Sequence, residues 1–271
     1  MIAKKRYAAP FIFWIIAGTV IPLISIAYYG FTSRSGGFTL ANVAAMFRHD
    51  HMQALGLSLL LAFISTLICL IIAFPMAMVL RESKYGKQGF LIFVIILPMW
   101  MNFLLRTMAW QVLLERQGVI NGLLGLFGLP HQELMNTPGA IILGMVYDFL
   151  PFMILPIYNT VSKIDSHLIE ASYDLGATKF RTYTKVILPL SVPGIVSGIT
   201  MVFIPALTTF VISNMLGGGK INLIGNIIEQ EFTVNSNWYL GSGLSLVMMV
   251  FIILSMLLLR KFDKTGGENL I

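Results

Sequence analysis

The chain has 271 residues, 57% of them hydrophobic and only 11% charged, and counting the 24 glycines brings the apolar share to about 66%, against roughly 45–50% in soluble domains. So little charge cannot clothe a water-soluble globule of this length, and lipid must cover much of the surface. Disordered, collagen-like and small secreted scaffolds are excluded, and the single cysteine, Cys69, excludes an intramolecular disulfide and a cysteine-based metal cluster.

A helix needs about 20 mainly apolar residues to cross ~30 Å of hydrocarbon. Six stretches qualify: Ala8 to Tyr29, Leu57 to Leu80, Phe90 to Leu114, Pro138 to Thr160, Leu190 to Leu216, and Leu240 to Leu259. The first follows Lys4-Lys5-Arg6 in the manner of a signal peptide, but it is too long and lacks a small-residue cleavage site, so it reads as a retained helix. With the amino terminus in the cytoplasm, 13 of the 18 Lys and Arg residues fall on the inner side, including Arg81, Lys84, Lys87, Lys163, Lys179, Arg181, Lys185, Arg260, Lys261 and Lys264. Arg34, Arg48, Arg116 and Lys220 fall outside, and Arg106 lies within the third span. This asymmetry predicts both termini in the cytoplasm. It also accounts for the net charge of +6, leaving no basic face that calls for a nucleic-acid partner. The fold expected is all-α and polytopic, a single transmembrane domain over residues 1–271.

Prolines fall within five of the spans, at Pro22, Pro75, Pro98, Pro151, Pro156, Pro193 and Pro205, where each removes a backbone hydrogen bond and bends or loosens its helix. Gly194 and Gly198 form a small-xxx-small pair suited to close helix contact. The outer loops, roughly 30–56, 115–137 and 217–239, carry glycine turns and are too short for a separate domain.

The loop from Val161 to Pro189 is the one long polar segment on the inner side. It reads as two short helices. Asp165 or Ser166 caps the first, whose apolar positions are Leu168, Ala171 and Leu175, and Gly176 permits the left-handed residue that ends it. Thr178 caps a second stretch with Phe180, Tyr183 and Ile187 near one face, stopped by Pro189. Such a projecting helix pair suits docking in a groove of a soluble partner.

Glu170-Ala171-Ser172, three residues, Gly176, nine residues, then Val186-Ile187-Leu188-Pro189 resembles the EAA loop of ATP-binding-cassette (ABC) importer permeases. Ser172 stands where the family pattern has a second alanine, and Val186 where it has isoleucine. The resemblance implies a fold like the type I ABC importer permeases and a coupling role for Glu170, Ala171, Gly176, Leu188 and Pro189. Further stretches, Leu97-Pro98-Met99-Trp100, Leu105-Arg106-Thr107, Tyr147 to Met153, and Leu216 to Lys220 with Ile224-Gly225-Asn226, are similar to the polyamine (spermidine/putrescine) branch of that family. What this implies is a permease subunit of the bacterial inner membrane forming half of an alternating-access pathway. Its partners would be a second homologous permease, two nucleotide-binding ATPase subunits and an extracytoplasmic substrate-binding protein. A permease for sulfate, iron or amino acids would share the loop, whereas a proton-coupled secondary transporter would need an ionisable relay through several spans.

Other chemistry finds no support. Gly217-Gly218-Gly219-Lys220 lacks the spacing of a phosphate-binding loop, so ATP and Mg are expected on the partner ATPase subunits, with no cofactor on this chain. His49 and His51 alternate in an outer loop, but no metal site is expected, and no catalytic constellation is present. Asp148 lies about ten residues into the fourth span, roughly 15 Å deep, where a carboxylate costs about 2.5–3.5 kcal/mol and must face a partner or an aqueous path. Two arrangements satisfy it: an ion pair with Arg106, or a cation pathway in which Trp100, Trp110 and Tyr147 supply aromatic faces. In the last outer loop, Glu229 and Glu231 either steer a polycation or contact an external binding protein, or are simply solvated.

Overall fold

The computed structural model describes residues 10–11, 13–83 and 89–268, with side chains described as far as 259. Lys4, Lys5, Arg6, Lys84, Lys87 and the start of the first span at Ala8 lie outside the described residues, as do the side chains of Arg260, Lys261 and Lys264.

In chain order, a π-helical turn Ile16–Val20 leads into α1 (Ile21–Gly30), followed by α2 (Ala41–Ala44), the long α3 (His49–Glu82) and α4 (Phe90–Ile96) with a 3-10 turn Leu97–Trp100. Next come α5 (Phe103–Leu114), α6 (Val119–Leu126), α7 (Pro138–Val161), α8 (Ser166–Asp174) and α9 (Lys179–Thr182). A π-helical turn Tyr183–Ile187 and α10 (Leu188–Leu190) precede α11 (Val192–Thr208), α12 (Val211–Leu216), α13 (Ile224–Thr233) and α14 (Trp238–Glu268). Among the described residues the only extended pairing is an isolated bridge between Thr32 and Phe38.

Among the described residues four helices are long and apolar enough to cross a membrane, Phe13–Gly30, His49–Glu82, Pro138–Val161 and Trp238–Leu259, and the total reaches six if two sharply bent pairs each count as one span. One bend lies inside the span expected over Phe90 to Leu114, and the other at the start of the span expected over Leu190 to Leu216. The first breaks by 86° between Trp100 and Phe103, and the second by 67° between Leu190 and Val192. At the first break Met101 is extended, and the Asn102 side chain caps α5 by accepting from the backbone N–H groups of Leu104 and Leu105 at 2.8 and 3.4 Å. The second break falls at Ser191, two residues past Pro189 and just after the end of the helical run Lys179–Leu190. Pro75, Pro151, Pro156 and Pro205 lie inside continuous helices.

The chain forms two compact units. One comprises Met1–Leu55 with Ile224–Ile253. Here Tyr29 packs against the rings of Trp238 and Tyr239, and the Asn42 side-chain amide donates to the carbonyls of Tyr29, Gly30 and Thr32. His51, one of the two alternating histidines, is buried with Nδ1 2.6 Å from the Ala45 carbonyl.

The other unit comprises Gly56–Leu223 with Leu254–Ile271, and its core is built on α7. Ile141, Met145, Met153, Ile154 and Ile157 are almost fully buried there, while Ser65 Oγ donates to Met145 Sδ and Cys69 Sγ lies 3.8 Å from the Val146 carbonyl. Lipid tails are as apolar as these side chains, so close packing rather than water exclusion must hold the helices together. Gly194 and Gly198 supply it. A Cβ on Gly194 would lie 2.8 Å from the Pro156 carbonyl oxygen, and one on Gly198 would lie 2.7 Å from Met153 Sδ. The large apolar side chains left exposed, such as Leu60, Phe63, Ile71 and Val79 on α3, are those a lipid-facing surface requires.

Candidate functional site

Two groups of residues in the second unit carry chemistry: an ion pair beside the first break, and the loop between α7 and α11.

Asp148, near the middle of α7, is 1% exposed, and its Oδ1 lies 3.2 Å from Arg106 Nε on α5. Thr107 Oγ1 reaches Asp148 Oδ2 at 3.4 Å. Arg106 Nη1 donates to the Pro98 carbonyl at 3.1 Å, so one guanidinium neutralises the midspan carboxylate and also satisfies a carbonyl beside the break. That second contact was not foreseen, although Pro98, Asn102 and Arg106 fall four residues apart in the sequence. Trp110 and Tyr147 pack edge to face with ring centroids 5.3 Å apart. Trp100 is 76% exposed and packs edge to face on Phe93, with ring centroids 5.8 Å apart. The geometry thus joins Arg106, Thr107 and Asp148 in one cluster, joins Trp110 to Tyr147, and leaves Trp100 with neither.

The loop folds as a helix-turn-helix because its caps are in the right places. Asp165 Oδ1 accepts from the His167 N–H at 3.0 Å to start α8, Gly176 takes φ +78° to end it, and Thr178 Oγ1 accepts from the Arg181 N–H at 3.4 Å to start α9. Ser172, which departs from the family's alanine, is buried: its hydroxyl donates to the Ile169 carbonyl and lies 2.8 Å from Thr182 Oγ1, fastening the two helices together. Glu170, Ala171 and Gly176 are exposed, and so are Leu168, Leu175, Phe180 and Leu188. Exposed aliphatic and aromatic groups flanking a glutamate form a surface suited to a protein groove. Pro189 is half-buried where the chain returns toward α11.

Charged groups fix the second helix of the loop. The Tyr183 hydroxyl donates to Glu82 Oε1 at 2.6 Å, Lys179 Nζ lies 3.7 Å from Glu82 Oε2, and Arg81 Nη2 donates to the Ile164 carbonyl at 2.9 Å. Burial, with the hydrogen bond to Glu82 adding to it, holds the Tyr183 phenol above its ordinary pKa. The phenol of Tyr183 and then the Glu82 carboxylate raise that of Lys179. Nothing in a single sequence signals this contact, for Glu82 and Tyr183 stand 101 residues apart.

The family model for "Binding-protein-dependent transport system inner membrane component" matches residues 37–265. The spermidine/putrescine transport system permease protein PotB of Haemophilus influenzae is 35% identical over 260 residues, covering 93% of this chain and 91% of the relative. Its counterpart in Escherichia coli is 34% identical over 246 residues, covering 88% and 89%. Among solved structures, a chain of a bacterial ABC transporter that imports the acidic polysaccharide alginate aligns with TM-score 0.82 over 97% of this chain and 95% of its own, at 16% identity, a likeness of fold alone. With the family model matched along most of its length and relatives this similar from end to end, the chain belongs to the inner membrane components of binding-protein-dependent transport systems, the permeases of ABC importers.

Proposed function

We propose that this permease forms half of the translocation pathway of an ATP-driven polyamine importer, moving spermidine or putrescine by alternating access. The observation that carries the substrate class is the 34–35% identity to spermidine/putrescine permeases over about nine tenths of both chains. The chain is a permease and not an enzyme. It works with an ATPase and a substrate-binding protein, in an assembly of two ATPase subunits, a second homologous permease and one external binding protein. ATP and Mg are used on the ATPase subunits. Both termini face the cytoplasm, in keeping with the distribution of Lys and Arg.

Glu170, Ala171, Gly176, Leu188 and Pro189 couple the loop to an ATPase subunit, whose groove covers the exposed apolar groups of α8 and α9. On the pathway, Asp148 takes a substrate ammonium in exchange for Arg106, and Trp110, Tyr147 and Trp100 offer aromatic faces to the passing cation. The decisive experiment is uptake of labelled spermidine in cells with and without the gene, in a background lacking other polyamine systems. Loss of uptake on deletion, restored by the gene, is expected; undiminished uptake would refute the substrate assignment. Glu170→Lys is expected to abolish both uptake and copurification of the ATPase, and retention of both would refute the coupling role.

A further inference from the structure

We propose that Glu82 is a positioning residue for energy coupling: it ties the loop to the end of α3, so that displacement of the loop is delivered to that span as well as to α11. This rests on the loop being the ATPase-docking element. The backbone joins the loop directly to α7 and α11, but its connection to α3 is made by side chains alone. Glu82, the last residue of α3, uses both carboxylate oxygens, Oε1 receiving the Tyr183 hydroxyl at 2.6 Å and Oε2 facing Lys179 Nζ at 3.7 Å. Beside it Arg81 Nη2 holds the Ile164 carbonyl at 2.9 Å, so consecutive residues of α3 grip both ends of the loop.

Lys179 Nζ lies 5.7 Å from the centre of the Tyr183 ring, which adds a cation-π contact to the same cluster. Tyr183 opens the π-helical turn, a geometry that is rare and concentrated at functional positions. Arg81, Glu82, Ile164 and Tyr183 line a cleft of about 470 Å³ whose wall includes Glu170 on the docking helix. The side chains of Lys179 and Glu82 are 67% and 53% exposed, and ion pairs in that setting add little to stability. A contact of that kind, aligned on both carboxylate oxygens, is better suited to holding position than to holding the fold together.

The test uses the complete transporter in proteoliposomes, with ATP hydrolysis and spermidine uptake measured on the same preparation. Glu82→Ala is expected to keep the ATPase subunits bound and hydrolysing ATP while the ATP consumed per spermidine rises about fivefold or more, the lower end of ordinary coupling effects. Tyr183→Phe, which removes only a hydroxyl, should move the ratio in the same direction by less. The double variant should be no worse than Glu82→Ala, because both changes act on one contact. An assembled Glu82→Ala complex with an unchanged ratio would overturn the proposal, and so would an unchanged ratio in Tyr183→Phe if Glu82→Ala fails to assemble. Should the wild-type complex hydrolyse ATP without moving spermidine, the substrate reading fails. The Glu82 proposal is then decided by stimulation of ATPase activity by the binding protein, which Glu82→Ala is expected to abolish and whose persistence would overturn it.

Discussion

Replacing Asp148 by leucine tests the midspan ion pair most directly. The substitution leaves the Arg106 guanidinium 7% exposed, with the Pro98 carbonyl as its remaining hydrogen-bond acceptor. Breaking a buried pair on one side costs about 3–5 kcal/mol, because the surviving charge is neither solvated nor neutralised. Asp148→Asn should cost less, about 1–3 kcal/mol, since its one amide oxygen can still face either Arg106 Nε or Thr107 Oγ1, while the amide nitrogen takes the other place. In Arg106→Met/Asp148→Leu both charges are gone, and Pro98 still accepts from the Met101 N–H at 3.1 Å. That variant should recover most of the loss, as buried pairs exchanged for apolar residues often do. The assay is denaturant-induced unfolding of the purified protein in bilayer mimetics for the single and double variants. A loss below about 1 kcal/mol for Asp148→Leu, or a double variant as unstable as the two single losses added, would refute the ion-pair account. Uptake then separates structure from pathway: a stable double variant that still fails to transport places Asp148 on the cation route, and one that transports confines it to the fold.

Gly194→Val should prevent α11 from seating on α7, with an overpacking cost of about 1–3 kcal/mol read as a lowered melting temperature, whereas Gly122→Ala on α6, where an added Cβ meets nothing within 4 Å, should be neutral or stabilising by up to ~1 kcal/mol. Asn121 is fully buried, donates to the Glu115 and Gln132 carbonyls and accepts from the Gln132 N–H at 2.9 Å, so Asn121→Leu should open the segment 115–133, seen as faster amide exchange confined there. The Tyr183 and Lys179 pKa values are both raised, so what these groups contribute is complete below their ordinary values of 10.0 and 10.5 and is lost only as pH rises through the raised ones. The ATP consumed per substrate should therefore be flat from about pH 6 to 9, and a step inside that window would assign coupling to other groups.

The helical, membrane-spanning character and the capped loop were legible in the sequence because each rests on local pattern: runs of about 20 apolar residues, and Asp165, Gly176 and Thr178 at the positions where helices begin and end. The breaks were not. Hydropathy runs uninterrupted from Phe90 to Leu114, and the turn depends on an asparagine whose side chain competes with the backbone, a cue that mean apolarity averages away. Pro189 was expected to stop its helix, and the run ends one residue later at Leu190, with the sharp turn at Ser191. The helices α2, α6 and α13 lie inside what read as outer loops: α2 has four residues, too few for periodicity to reveal, whereas α6 and α13 carry an amphipathic pattern that went unread. Asp148 and Arg106 stood out as intramembrane charges, and their pairing was one of two arrangements open to them. Glu82 passed unnoticed as an ordinary charge at a helix end, for its meaning depends on a partner far along the chain.

The two breaks bear on how motion of the loop would reach the spans. A helix interruption that leaves carbonyls unsatisfied is a place to unwind, because water or a new partner can complete the open bonds. At each break here one carbonyl is doubly occupied. The Pro98 carbonyl is occupied by both the Met101 N–H and Arg106 Nη1, and the Ile187 carbonyl by both the N–H and the hydroxyl of the fully buried Ser191, at 2.9 and 2.6 Å. These contacts hold the two bends in place. From the loop, motion has a contiguous course: across Ser191 into α11, through Gly194 and Gly198 into α7, and by Asp148 and Arg106 into α5. Contiguity alone does not demonstrate coupling, which requires that both ends bias one two-state element. The Arg106–Asp148 pair is a candidate for that element, since its closed state is a buried ion pair and its open state needs another cation in the guanidinium's place, which an ammonium-bearing substrate would supply.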